Sequence, residues 1–185
     1  MTSPSASIPP EAAALVDFWR ASQPNWFRKS DAFDAALFDR YLQSHLAAAR
    51  GERDDWAATP TGALALLILL DQFPRNAFRG TAHMYATDPR ARAVASRALD
   101  QGYEMGVEPP LRLFFCLPFA HSEALADQQR SVELHRPLGR PWLDHAEGHL
   151  SIVERFGRFP HRNRLLGRDT TPAEQAFLDQ GGFAG

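Results

Sequence analysis

The sequence predicts an all-α fold, and three observations carry that prediction. Apolar residues recur at three- and four-residue steps through most of the chain. Proline and capping residues stand repeatedly just ahead of such runs. No segment sustains period-two alternation, and neither Asn-Gly nor Asp-Gly occurs as a hairpin turn. About seven to eight helices are expected, packed as antiparallel helical hairpins in a tetratricopeptide-like stack or an irregular bundle.

In chain order, Glu11 to Ala21 follows Pro9 and Pro10 and places Leu15, Phe18 and Trp19 on one side. Ser30 opens a long helix with Phe33, Leu37, Phe38, Tyr41, Leu42 and Leu46 at helical spacing, and Gly51 offers a left-handed cap. Thr59-Pro60 supplies an N-cap and a pre-set first turn for the apolar run to Leu70, and Pro74 is expected to end that helix. Asp88-Pro89 repeats the start signal before an Ala- and Arg-rich helix ending near Gly102. Pro109 and Pro110 introduce Leu111 to Ala120, apolar on all sides, with Pro118 inside it. Asp127 to His135 and Trp142 to Phe156 read as amphipathic helices. Thr171-Pro172-Ala173-Glu174 reads as a capping box.

At 185 residues and 44% hydrophobic, the chain suits one domain, expected over 11–185 after a disordered tail over 1–10. A formal net charge of -2 removes the global positive field that nucleic acid or an anionic bilayer would need. The lone Cys116 cannot form an internal disulfide or a Cys-based zinc cluster, and its Phe115 and Leu117 neighbours mark it as a core residue. No apolar run reaches membrane-spanning length and the first residues lack a signal-peptide pattern, so a soluble cytoplasmic protein is expected. Phosphate-binding Gly loops, Rossmann fingerprints and nucleophile elbows are absent.

The most informative feature is an internal echo. Asp71-Gln72-Phe73-Pro74-Arg75-Asn76, with Arg79-Gly80 after it, resembles Arg158-Phe159-Pro160-His161-Arg162-Asn163, with Gly167-Arg168 after it. In each, Phe can dock in the core and Arg can present a planar fork of donors to an anion. The competing reading is that these cations complement helix C-termini and satisfy free carbonyls. Five Arg and one His lie between Arg155 and Arg168, a charge density that fits one phosphate or carboxylate better than a nucleic-acid groove. Candidate ligand-binding residues are Arg75, Asn76, Arg79, Arg158, Arg162, Asn163 and Asp71, with Trp26 and Arg28 able to wall a pocket.

A second constellation is His121-Ser122-Glu123 followed by Asp127-Gln128. On a continuous helix Glu123 and Asp127 would share a face at i,i+4 and require neutralisation. His121, Glu123, Asp127 and His161 are therefore the candidate catalytic residues. His145 and His149 have an i,i+4 spacing that can grip zinc, but Glu147 is misplaced for a metalloprotease helix, so no metal site and no cofactor are expected.

Together with Trp26-Phe27, Leu117-Pro118-Phe119 and Phe156-Gly157, these motifs resemble the uncharacterised bacterial and fungal family called domain of unknown function nine-two-four, from about Ala14 onward. The resemblance implies an all-α fold grouped with tetratricopeptide-like hairpins and no established activity. The leading functional expectation is an Arg-lined polar pocket for a small anionic molecule or peptide carboxylate. The alternatives are an enzyme using His/carboxylate acid–base chemistry with Arg stabilisation of an anion, and a protein-interaction scaffold, so a protein partner remains open.

Overall fold

A computed structural model describes residues 7–184. Among them the secondary structure is helical with no strand: α1 (Pro10–Ala21), α2 (Asp31–Ala49), α3 (Pro60–Leu67), α4 (Phe73–Ala77), α5 (Asp88–Asp100), α6 (Leu113–Ala120), α7 (Leu125–His135), α8 (Trp142–Phe156) and α9 (Pro172–Asp179), with short 3₁₀ turns between. A π-helical segment, Ile68–Gln72, joins α3 to α4 without a break, so these make eight helices, as the sequence predicts. The expected tail falls partly outside the described residues; helix α1 already begins at Pro10. No helix of the described residues is long and apolar enough to cross a membrane. The contacts divide the chain into two compact units, the first running through Arg79 and again over His83–Pro118, the second taking Gly80–Ala82 and 119 onward.

In the first unit, Ser30 caps α2 by accepting from Phe33 N, and Gly51 follows that helix with φ +85°. Thr59 caps α3 by accepting from Gly62 N. Helix α3 and the π segment form the axis of the core: Ala63 through Leu70 are each fully buried. Helices α1 and α5 pack on α3, and α2 packs on α4. Trp19, Trp26 and Phe114 form an edge-to-face aromatic cluster, and Trp26 Nε1 donates to Trp19 O at 2.8 Å. Burial of so long an apolar run is a main source of this unit's stability, since each large side chain removed from water contributes roughly 1.5–3 kcal/mol.

Pro74 does not end the helix. It has no N–H to offer Leu69 O or Leu70 O, both of them buried. Both are satisfied from outside: His45 Nδ1 donates to Leu69 O at 2.9 Å, and Thr87 Oγ1 donates to Leu70 O at 2.5 Å. With those donors supplied the widened turn survives, and Phe73–Ala77 continues the axis. Thr87, not Asp88, is the residue ahead of α5, and its hydroxyl serves this carbonyl instead of capping its own helix.

In the second unit, α7 packs on α8. Ile152, Val153 and Phe159 form its apolar cluster, with Phe156 and Phe177 against it. Gln128 is fully buried and donates to Ala120 O at 2.9 Å and Ser122 O at 2.6 Å, which ties α7 to the end of α6. Thr171 and Glu174 form the predicted capping box at the start of α9.

Candidate functional site

The two echo segments lie in different units. In the first, Arg75 Nη1 and Nη2 meet Asp88 Oδ1 and Oδ2 at 2.8 and 3.0 Å, and Nη1 stands 3.1 Å from Asp71 Oδ1. Burial alone would make this guanidinium easier to deprotonate, but Asp71 and Asp88 more than offset that and raise its pKa. Asp71 is 1% exposed and also accepts from Gln72 Nε2 at 2.6 Å. Asn76 donates to Gln72 O and accepts from Arg79, whose Nε meets Asp34 Oδ2 at 3.0 Å. In this copy Arg75 and Arg79 engage carboxylates of their own unit, and Arg75 also donates to Asp71 O. Trp26 is 7% exposed and belongs to the aromatic core, while Arg28 beside it is exposed.

In the second unit, several sequence-predicted residues come together. The chain breaks between α6 and α7, so Glu123 does not share a continuous helix with Asp127, contrary to the sequence expectation. The break is held by Ser122, whose hydroxyl donates to Asp127 Oδ2 at 2.6 Å and accepts from Ala124 N. Asp127 thereby stabilises the first turn of α7, where a carboxylate also complements the helix dipole. Freed from the helix, Glu123 reaches the other segment: Oε1 accepts from Phe159 N at 2.8 Å, and Arg168 closes a two-point pair at 2.7 and 2.9 Å. Burial would raise the Glu123 pKa, but the hydrogen bonds from Arg168 and from Phe159 N–H hold it below the usual carboxylate range.

Arg158 pairs through Nε and Nη2 with Glu174 at 2.6 and 2.9 Å, so the capping box and the echo segment share one carboxylate. Arg162 is buried and lies 4.7 Å over the Phe159 ring. Asn163, 1% exposed, donates its side chain to Thr170 Oγ1. His161 packs 5.7 Å from Phe159 and 5.1 Å from Phe183, and its buried Nδ1 has no hydrogen-bond partner. His149 packs against the same two phenylalanines and its Nδ1 is likewise unpartnered. Burial, aided by Arg162, Arg168 and His121, holds the His161 pKa down to about 4. Burial, with His121, Arg162 and His145, holds that of His149 down to about 3. Both rings are neutral at pH 7, and His121 lies within electrostatic reach of each.

The family described as "Bacterial protein of unknown function (DUF924)" matches residues 15–182. The chain belongs to that family. A solved structure titled as a protein of unknown function, ATU0120 from Agrobacterium tumefaciens, is 55% identical, covers 92% of this chain and 97% of its own, and superposes with a TM-score of 0.90. No curated protein matches. The DUF924 chain described here thus shares its helical fold with a solved relative.

Two further residues, Arg168 and His149, complete the second-unit cluster. Arg168 had its signal in the echo itself, since Gly167 precedes it with φ +63° and turns it toward Glu123. The local pattern shows His149 only as half of a zinc-like spacing with His145, because its tertiary neighbours Phe159 and Phe183 leave no mark there.

Proposed function

We propose that the second unit carries a site for a small anion, a phosphate or a carboxylate such as a peptide C-terminus, built on the His161–Arg168 segment. The observation that carries this reading is the buried Nδ1 of His161, which has no hydrogen-bond partner, on a segment where Arg162 and Arg168 stand within electrostatic reach of the ring. A bound anion in such a partly buried setting would accept charge-assisted guanidinium hydrogen bonds. Arg162 and neutral His161 are the proposed ligand contacts. Glu123 holds Arg168 and the Phe159 amide in place, and Asn163 fixes the loop through Thr170. The reading keeps the protein in the cytoplasm, where buried Cys116, its thiol pushed up to about 12 by burial, stays unreactive.

An enzyme at the same residues is the second reading, and the unpartnered Nδ1 of His161 favours it, because a neutral imidazole nitrogen can accept a substrate proton. Glu123 does not orient that imidazole; its oxygens are occupied by Arg168 and Phe159 N. Binding is therefore the preferred function.

The test is thermal unfolding in phosphate, sulfate and acetate against matched chloride. A ligand of the folded state raises Tm with the logarithm of its concentration, and chloride controls for ionic strength. Sucrose at matched exclusion controls for the general effect of sulfate. The anion-specific rise is expected to vanish in Arg162→Gln and in His161→Gln and to persist in Arg79→Gln. A wild type with no anion-specific rise, or a folded Arg162→Gln with the full rise, overturns the proposal.

A further inference from the structure

Helix α9 ends at Asp179, and the chain after it turns back on the second unit. Gly181 takes φ +80°, which favours glycine, and its N–H and that of Gly182 donate to Leu178 O and Phe177 O at 3.1 and 3.0 Å. The turn lays Phe183 against two histidines: its ring stands 4.6 Å from His149, 5.1 Å from His161 and 6.4 Å from Phe159. Both imidazoles keep a buried Nδ1 without a hydrogen-bond partner, a state that costs free energy until something meets the atom. Phe183 itself is 39% exposed, and among the described residues no backbone hydrogen bond holds it. An attachment made of a few ring contacts belongs to the part of a fold that opens locally, well before the unit around it unfolds.

We propose that Phe183 is a movable cover on the anion site, and that a ligand reaches His149 and His161 when this ring swings away. What enters rests on the anion reading given above; the cover itself rests on the ring contacts. The two phenylalanines of the cluster divide the work. Phe159, 1% exposed, is the fixed floor, touching both imidazoles and lying under the Arg162 guanidinium. Phe183 is the outer ring, and its phenyl gives neither Nδ1 a conventional hydrogen bond. A hydrated oxyanion does give one, so the ligand favours the open state by that difference. While the cover is shut, the site is lost to ligand, and the apparent affinity falls in proportion to the open fraction. The segment after α9 therefore sets how much anion the site needs.

Two substitutions open the cover by different routes. Phe183→Ala deletes the ring. Gly182→Ala keeps it, but its Cβ would lie 2.5 Å from Phe177 Cε1 and 2.6 Å from Phe177 O, so the segment must leave its seat. The full chain is treated with diethyl pyrocarbonate, which acylates accessible neutral imidazoles, and modified histidines are located by mass spectrometry with exposed His145 as internal reference. Both variants are expected to fold and to modify His149 and His161 several-fold faster relative to His145. Both should also move the phosphate-induced Tm rise to lower concentration, by roughly tenfold for a cover open about a tenth of the time. Either variant failing to fold makes this segment part of the core and overturns the cover. Unchanged modification of both histidines overturns it as well, as does a phosphate response present in the wild type and not strengthened in the variants, which makes Phe183 a wall of the site. If phosphate leaves Tm unchanged in all three proteins while modification accelerates, the cover stands and the anion reading falls.

Discussion

Arg168 grips Glu123 through both terminal guanidinium nitrogens, at 2.7 and 2.9 Å, across 45 residues of chain. The same carboxylate receives Phe159 N–H, so one side chain joins the break before α7 to the loop that bears His161 and Arg162. Glu123→Ala is expected to leave a partly buried guanidinium and a backbone donor unmet, at a cost on the order of 3 kcal/mol. Urea denaturation checks this, and a midpoint equal to the wild type would refute it. The Glu123 pKa is depressed in the folded protein, so the pair contributes fully above the ordinary carboxylate pKa of 4.5 and is lost as pH falls through the lower folded value.

The histidines impose a second pH dependence of the same sign. His149 and His161 bind protons more weakly folded, near 3 and 4, than at their ordinary 6.5. Below 6.5 the unfolded chain takes up protons that the folded one refuses, so stability should fall from pH 6.5 toward 4. Replacing His161 by Gln should flatten that decline. Ring resonances that titrate near 6.5 in the native protein would contradict it.

Gly62→Ala should destabilise the protein although alanine has the better helix propensity by about 1 kcal/mol. A Cβ there would lie 2.0 Å from Trp56 O and 2.9 Å from the capping hydroxyl of Thr59. Relief requires the backbone of the preceding turn to shift, at a cost of about 3 kcal/mol. A thermal midpoint raised by the substitution would refute the packing.

Arg75→Lys should behave unlike a conservative change. Lysine keeps the charge but cannot span both oxygens of Asp88 while reaching Asp71 and its carbonyl. A loss of about 2 kcal/mol is expected for Lys and a larger one for Ala, because Asp71 and Asp88 are both buried. Equal stability of the wild type and Arg75→Lys would show that the fork geometry is not required.

Thr171→Ala removes the acceptor for Glu174 N and should cost about 1 kcal/mol. The hydrogen bonds of Arg158 hold the Glu174 pKa down to about 2, so the cap contributes fully above pH 4.5 and is lost as pH falls through about 2. Denaturation at pH 7 and pH 2 distinguishes the two contributions.

Local chemistry made much of this architecture readable in the sequence. Ser30, Thr59 and Thr171 announce helix starts because a cap acts within three residues, and Gly51 announces an end because left-handed backbone favours glycine. What was not readable depends on distant partners. Pro74 signals a stop by every local rule, and only His45 and Thr87 reverse it. Glu123 and Asp127 suggest a helical pair until Ser122 breaks the helix and Arg168 takes Glu123 away. The echo draws equal attention to both segments, and sequence could not show that Arg75 is already held by Asp88.

The widened turn at Ile68–Gln72 also sets the alignment of its neighbours. Apolar faces tolerate sliding by a fraction of a turn, since one methyl contact replaces another at little cost. A buried carbonyl does not, because it accepts from one donor at one angle. With Leu69 O reserved for α2 through His45 and Leu70 O for the start of α5 through Thr87, either element sliding by one residue would leave an unmet acceptor in a dry interior. The irregularity that breaks the ladder of the central helix therefore acts as a pair of keyed sockets, and greasy segments that could dock in several ways are confined to one.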